Sequence, residues 1–165
     1  MGYDTLDVAT RVAAHVGADG RTMIVLEENP FYASGGGQVS DIGVVQGDGW
    51  SMQVEEVVKD PVHGHRLVGH ASGEVVPGEV RATVDERRRR DIERNHSATH
   101  LLHLELRRAL GPHVRQQGSL VEPDRLRFDF SHHGPIGPSH LADIEAAVNE
   151  RVLANAETNI RELPL

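Results

Sequence analysis

The sequence predicts an α+β protein in which an N-terminal, small β-barrel-like unit packs on an α+β portion carrying a long histidine-bearing helix. Three observations predict this. Residues 10–85 run as short segments cut by Gly, Pro, Asn and Asp turns, with no convincing helical period. Residues 86–110 then contain no Gly or Pro until Gly111-Pro112, as a long helix requires. Beyond that point Arg125-Leu126-Arg127-Phe128-Asp129-Phe130 alternates polar and apolar, the pattern of a half-buried strand.

Taken in order, strands are expected at 11–16 and 22–27, separated by the hairpin signal Gly17-Ala18-Asp19-Gly20. Others follow at 42–45, 51–58, 66–71 and 79–85, with turns at Gly47-Asp48-Gly49 and Val76-Pro77-Gly78. Many short strands at this spacing suggest a small barrel or sandwich. After the long helix, residues 113–120 read as a turn or strand. Pro135 and Pro138 break the chain before a second helix, capped by Ser139, with Leu141, Ile144, Val148 and Val152 on its buried face. Another strand is expected over 159–163. The composition shift near Asp85 divides the chain into a mostly β unit (1–85) and an α+β portion (86–165). No flexible linker separates them, which predicts a rigid interface.

Composition bounds the function classes. With 165 residues, 38% hydrophobic and 25% charged, the chain is long enough for a real core and reads as soluble and globular. Its net charge of −8 argues against a general polyanion binder. No apolar run approaches the roughly 20 residues that cross a bilayer. Met1-Gly2-Tyr3-Asp4 opens neither a signal peptide nor, with Leu6 in place of Ser or Thr, a myristoylation signal. A cytoplasmic protein without a membrane partner is expected. The absence of cysteine leaves histidine, carboxylate and water as metal donors.

Two stretches carry chemistry. In Asn95-His96-Ser97-Ala98-Thr99-His100, two imidazoles four apart on a helix point the same way and could share a metal ion. The periodicity puts Ala98, Leu102, Leu106 and Ala109 on the core face, and His96, His100, His103 and Arg107 on the opposite one. In a chain with 11 histidines such a pair is also compatible with a solvated helix face. Ser97 stands where a zinc protease needs its general base, which argues against that chemistry. The second stretch is Asn29-Pro30-Phe31-Tyr32-Ala33-Ser34-Gly35-Gly36-Gly37-Gln38. Its glycines suit a flexible loop or the close approach of a ligand to the backbone, and an aromatic pair and an amide flank them. Arg87-Arg88-Arg89-Arg90 with Arg94 reads either as a phosphate-holding patch or as a solvated helix paired with Asp85, Glu86, Asp91 and Glu93.

Together, Asn95-His96-Ser97-Ala98-Thr99-His100-Leu101-Leu102-His103, Gln116-Gln117-Gly118-Ser119-Leu120-Val121, Arg127-Phe128-Asp129-Phe130-Ser131-His132 and the glycine stretch resemble the editing domain of alanyl-tRNA synthetases. Gly2-Tyr3-Asp4-Thr5 resembles the point where the synthetase passes into that domain. Ala33-Ser34-Gly35, where synthetases usually carry Ala-Glu-Ser, is closer to free-standing editing proteins.

The resemblance implies a hydrolase that removes serine or glycine wrongly attached to the acceptor end of tRNA(Ala), with a synthetase domain possible in the parent protein. The need is physical, because a pocket that admits alanine cannot strongly exclude glycine or serine. Carried onto this chain, His96 and His100 match the first two zinc ligands. Thr99 and Gln116 match positions lining the editing pocket, and Gly36, Gly37 and Gln38 match a motif near the terminal adenosine. The family completes its zinc site with a Cys-Gly-Gly-Thr-His motif that this chain stops before, so a zinc site short of ligands is expected. A catalytically incomplete module that binds tRNA or a partner is the alternative.

Overall fold

A computed structural model describes residues 5–18 and 20–157. Six antiparallel strands form the first layer: β1 (Asp7–Ala18), β2 (Arg21–Leu26), β3 (Gly43–Gly47), β4 (Trp50–Asp60), β5 (Gly64–Ser72) and β6 (Glu79–Val84). They close in the order β1-β2-β5-β4-β3-β6, with β6 returning to β1. The sequence leaves barrel and sandwich open; the β1–β6 pairing makes it a barrel. Alternate residues point inward, so Ile24, Val45, Met52, Val57, Leu67 and Ala82 are fully buried. Each large aliphatic side chain so placed is worth about 1.5–3 kcal/mol. β4 bulges between Val54 and Glu56, where β5 crosses at Gly69. A Cβ on Gly69 would collide with the Gln53 carbonyl, so this crossing needs glycine. The hairpin signal around Asp19 and the strand expected at 159–163 lie outside the described residues in whole or in part.

The link from β2 to β3 is anchored before it reaches its glycines. Phe31 is 1% exposed and joins the barrel core. The Asn29 carboxamide oxygen accepts from Phe31 N–H at 3.0 Å, and its amino group donates to the Phe31 carbonyl. Asp41 accepts from Tyr32 N–H at 2.7 Å while its own N–H returns to the Tyr32 carbonyl. The loop is therefore closed on itself at both ends.

Helix α1 (Glu86–Leu110) starts at Asp85, whose side chain accepts from Arg88 N–H at 2.9 Å, and ends at Gly111, where φ is 114°. Its first turn is fastened to the loop by Arg89, which donates through Nε to both Asp41 oxygens at 3.0 Å and through Nη2 to the Pro30 carbonyl. Both side chains of this ion pair are almost entirely buried. The buried residues of α1 are Arg89, Ile92, Thr99, Glu105 and Leu106, and all but Glu105 lie along one stripe. This corrects the sequence-derived face: Ala109 is exposed and Ala98 half-buried, and His96 and His103 fall within the stripe's spacing, half-buried. The reason is that polar contacts grip the N-terminal half of the helix, a use of the inward face that a count of Leu and Ala does not anticipate.

Strands β7 (Gln116–Val121) and β8 (Leu126–Phe130) form an antiparallel pair, and helix α2 spans Pro138–Ala154. A second core gathers Leu106, Val114 and Ile144 with Phe128, Phe130 and Val148. Helix α2 starts two residues earlier than the Ser139 cap implies. Gly137 is its N-cap, without a side-chain bond, because Pro138 has the fixed φ that suits the first helical position. Its buried face is also narrower: Leu141 and Val152 are 51% and 54% exposed.

The basic run resolves residue by residue. Arg90 pairs with Glu93 and Glu86, Arg94 with Asp91, and Arg88 donates to the Ser40 carbonyl at 2.7 Å. Most of its charge is engaged within the fold and is not displayed as a phosphate patch.

Candidate functional site

Gly35 and Gln38 exchange two backbone hydrogen bonds, at 3.1 and 3.0 Å, around Gly36 (φ 61°) and Gly37 (φ 84°). This tight turn lies against β7. Val39 N–H donates to the Val121 carbonyl at 3.1 Å, and Val121 N–H donates to the Gly37 carbonyl at 2.8 Å. Gln38 thereby bridges Val121 in parallel register, so a barrel loop is stitched to the sheet beneath α1. Glycine at position 37 is required twice, by its positive φ and by space. A Cβ there would meet Ser119 Oγ and stand 2.5 Å from the Ser119 carbonyl. Gly37→Ala is expected to cost about 1–3 kcal/mol and to move Gln38 off its partner. Chemical denaturation checks the first effect and the chemical shifts of the His96 ring the second.

That partner is His96. Gln38 Oε1 lies 2.5 Å from His96 Nδ1, across 58 positions of sequence. An amide oxygen only accepts, so in this arrangement Nδ1 carries the proton and Nε2 keeps its lone pair. The His96 and His100 rings sit 5.0 Å apart, tilted by 37°. Burial, and secondarily the neighbouring His100, hold His96 below the ordinary imidazole pKa, which favours the neutral ring. Asn95 fixes this part of the helix by donating to the carbonyls of Glu122 and Pro123 at 2.8 and 3.2 Å.

The structure thus brings Gly36, Gly37, Gln38, His96 and His100 together. Thr99 is one turn along the helix, buried, with its hydroxyl donating to the Asn95 carbonyl at 2.8 Å. Gln116 is exposed at the start of β7, and its amide donates to Ser119 Oγ at 3.0 Å. Its link to the histidines runs through the strand, with no direct hydrogen bond among the described residues. The residues missed from sequence are those that aim the site: Arg89, Asp41 and Asn95. Arg89 and Asn95 find their partners 27 to 59 positions away, and no local pattern announces these contacts.

Among the described residues, no set of three or more His, Asp or Glu side chains converges as a metal centre requires. His103 faces Phe128, and its buried Nε2 has no hydrogen-bond partner. His113, His132 and His133 form a separate cluster of stacked rings. A cavity of about 540 Å³ opens on the barrel side of the glycine turn and not over the histidine pair. No helix among the described residues is long and apolar enough to cross a membrane.

Residues 5–88 match a family model described as tRNA synthetases class II (A). The whole chain is 44% identical over 177 residues to an alanine–tRNA ligase of Staphylococcus aureus (strain bovine RF122 / ET3-1). It is 42% identical over 176 residues to those of strains JH9 and Newman. All of this chain is covered in each case, and it spans 20% of the relatives' length.

Proposed function

This chain belongs to the class II tRNA synthetase (A) family together with alanine–tRNA ligases, and from that premise we propose that it is the editing portion of such a protein. The reaction is hydrolysis of the ester joining serine or glycine to the acceptor end of tRNA(Ala), in the cytoplasm, with a ligase domain in the parent protein. The observation that carries this reading is the hydrogen bond from His96 to Gln38, which unites the glycine turn with a paired-imidazole helix.

Zinc is the cofactor this reading implies. His96 and His100 fit two of its positions: their rings are adjacent, and the Gln38 contact leaves His96 Nε2 free to donate. The described residues offer no further convergent ligand. When bound, zinc supplies a fixed positive charge that polarises the carbonyl or the attacking water. The chain's own residues do the rest. The glycine turn presents bare backbone to the terminal nucleoside. The Thr99 hydroxyl, whose hydrogen is directed at the Asn95 carbonyl, accepts from a seryl hydroxyl through its oxygen, and the Gln116 amide offers both a donor and an acceptor. Alanine lacks the hydroxyl, so these polar groups favour serine. Attack forms a bond from the water oxygen to the carbonyl carbon and breaks the bond to the ribose oxygen, which takes up a proton.

Seryl-tRNA deacylation tests the reading. Gln38→Ala, which removes only the partner that orients His96, is expected to cost about 10–100-fold in zinc affinity, measured by competition with a chelator. Unchanged affinity would show that Gln38 does not aim the ring. A second reading, a module that binds tRNA without chemistry, is favoured by the two-residue donor set alone. Salt-sensitive tRNA binding by zinc-free protein with no turnover would select it.

A further inference from the structure

Lys59 is the only lysine in a chain with 17 basic residues. It stands near the end of β4, paired in register with His65 of β5, and lines the large cavity beside Tyr32. Its ammonium lies over the glycine turn, 3.0 Å from where a Cβ on Gly35 would be. Among the described residues no hydrogen bond or ion pair engages it, although most arginines of α1 are engaged. The turn below it is only four residues long. Gly35 lies under Lys59 at one end, and Gln38 touches His96 at the other. Tyr32 donates its hydroxyl to the Gly35 carbonyl at 3.1 Å, which fixes an aromatic ring on the Lys59 side of the turn.

We propose that the cavity on the barrel side receives the RNA strand leading to the ester, and that Lys59 is a positioning residue whose ammonium pairs with a backbone phosphate of that strand. This deepens the editing reading and rests on it. This placement suits a ligand that passes over bare backbone, with its reactive end at the histidines and an anionic group on the opposite side of the turn. A single-stranded nucleic acid 3′ end has this form, with a stackable base between phosphates. Lysine suits the task because it supplies a point charge on a flexible stem to a phosphate that needs no planar recognition. Glu27 also lines the cavity, and His63 is engaged with Asp60, so the attraction is confined to the Lys59 and His65 side.

One lysine makes the test clean. Acylation of Lys59 by an amine-reactive reagent is followed by mass spectrometry in the full chain, alone, with inorganic phosphate, and with an uncharged tRNA(Ala) acceptor minihelix. The minihelix is expected to slow the modification. Lys59→Gln is expected to flatten the dependence of log affinity on log salt by about 0.7, the value for one phosphate of a single strand, with Lys59→Arg restoring it and zinc content unchanged. Minihelix binding with unprotected Lys59 and an unaltered salt slope overturns this inference and leaves the editing reading standing. Protection by inorganic phosphate but not by the minihelix overturns the RNA assignment. Failure of the unmodified protein both to bind the minihelix and to deacylate seryl-tRNA overturns the two together.

Discussion

Replacing both His96 and His100 with Ala is expected to remove bound zinc and to lower seryl-tRNA deacylation by more than about 100-fold, beyond the cost of losing an orienting partner alone. The prediction follows from the 5.0 Å spacing of the two rings and from the Gln38 contact that leaves one nitrogen of His96 available. Neither change should unfold the chain, because His100 is exposed and His96 only half-buried. Metal analysis and single-turnover deacylation are measured on the same preparation. Robust turnover in the double variant would place the chemistry elsewhere. Zinc retained without turnover would show that these imidazoles act on the substrate and not on the metal.

The largest effect on stability is expected at Arg89. Arg89→Ala leaves the Asp41 carboxylate buried without its cation and the Pro30 carbonyl without a donor. Breaking a buried pair in this way costs about 3–5 kcal/mol, read as a shift in the urea midpoint. Removing both charges, in Arg89→Met with Asp41→Asn, is expected to cost less. It should not fully recover the loss, because Asp41 also accepts from the Tyr32 N–H. A loss below about 1 kcal/mol for the single variant would mean that water reaches the pair.

What the sequence discloses and what it conceals divide along a physical line. The long helix from Glu86 to Leu110 is legible because unbroken propensity and the Gly111 stop act locally. The strands are legible because their turn residues act locally too, although β1 begins earlier than the pattern suggests. Closure itself is not settled by the turn pattern, which leaves barrel and sandwich open, since it depends on the register of Asp7–Arg11 against Glu79–Thr83 at the far end of the β unit. The core face of α1 departs from its Leu and Ala periodicity for a related reason. A buried arginine reads as a surface residue until Asp41, 48 positions away, is seen beside it. The His96 and His100 pair is legible from its spacing, and the glycine turn from its composition. Their meeting at Gln38 rests on the parallel bridge to Val121, which is a tertiary event.

Barrel closure has a further consequence for how copies of this chain meet. Its six strands satisfy one another, so that layer offers no margin for recruiting a neighbour. Strand β7 has β8 on one side and the Gln38 bridge against it, which leaves β8 as the one margin among the described strands without a second neighbour. Such margins invite intermolecular ribbon growth and amyloid-like stacking. Here the exposed Arg127, joined to Asp129 at 2.9 Å, sets opposite charges along it, and charge on an open edge is what opposes edge-to-edge pairing.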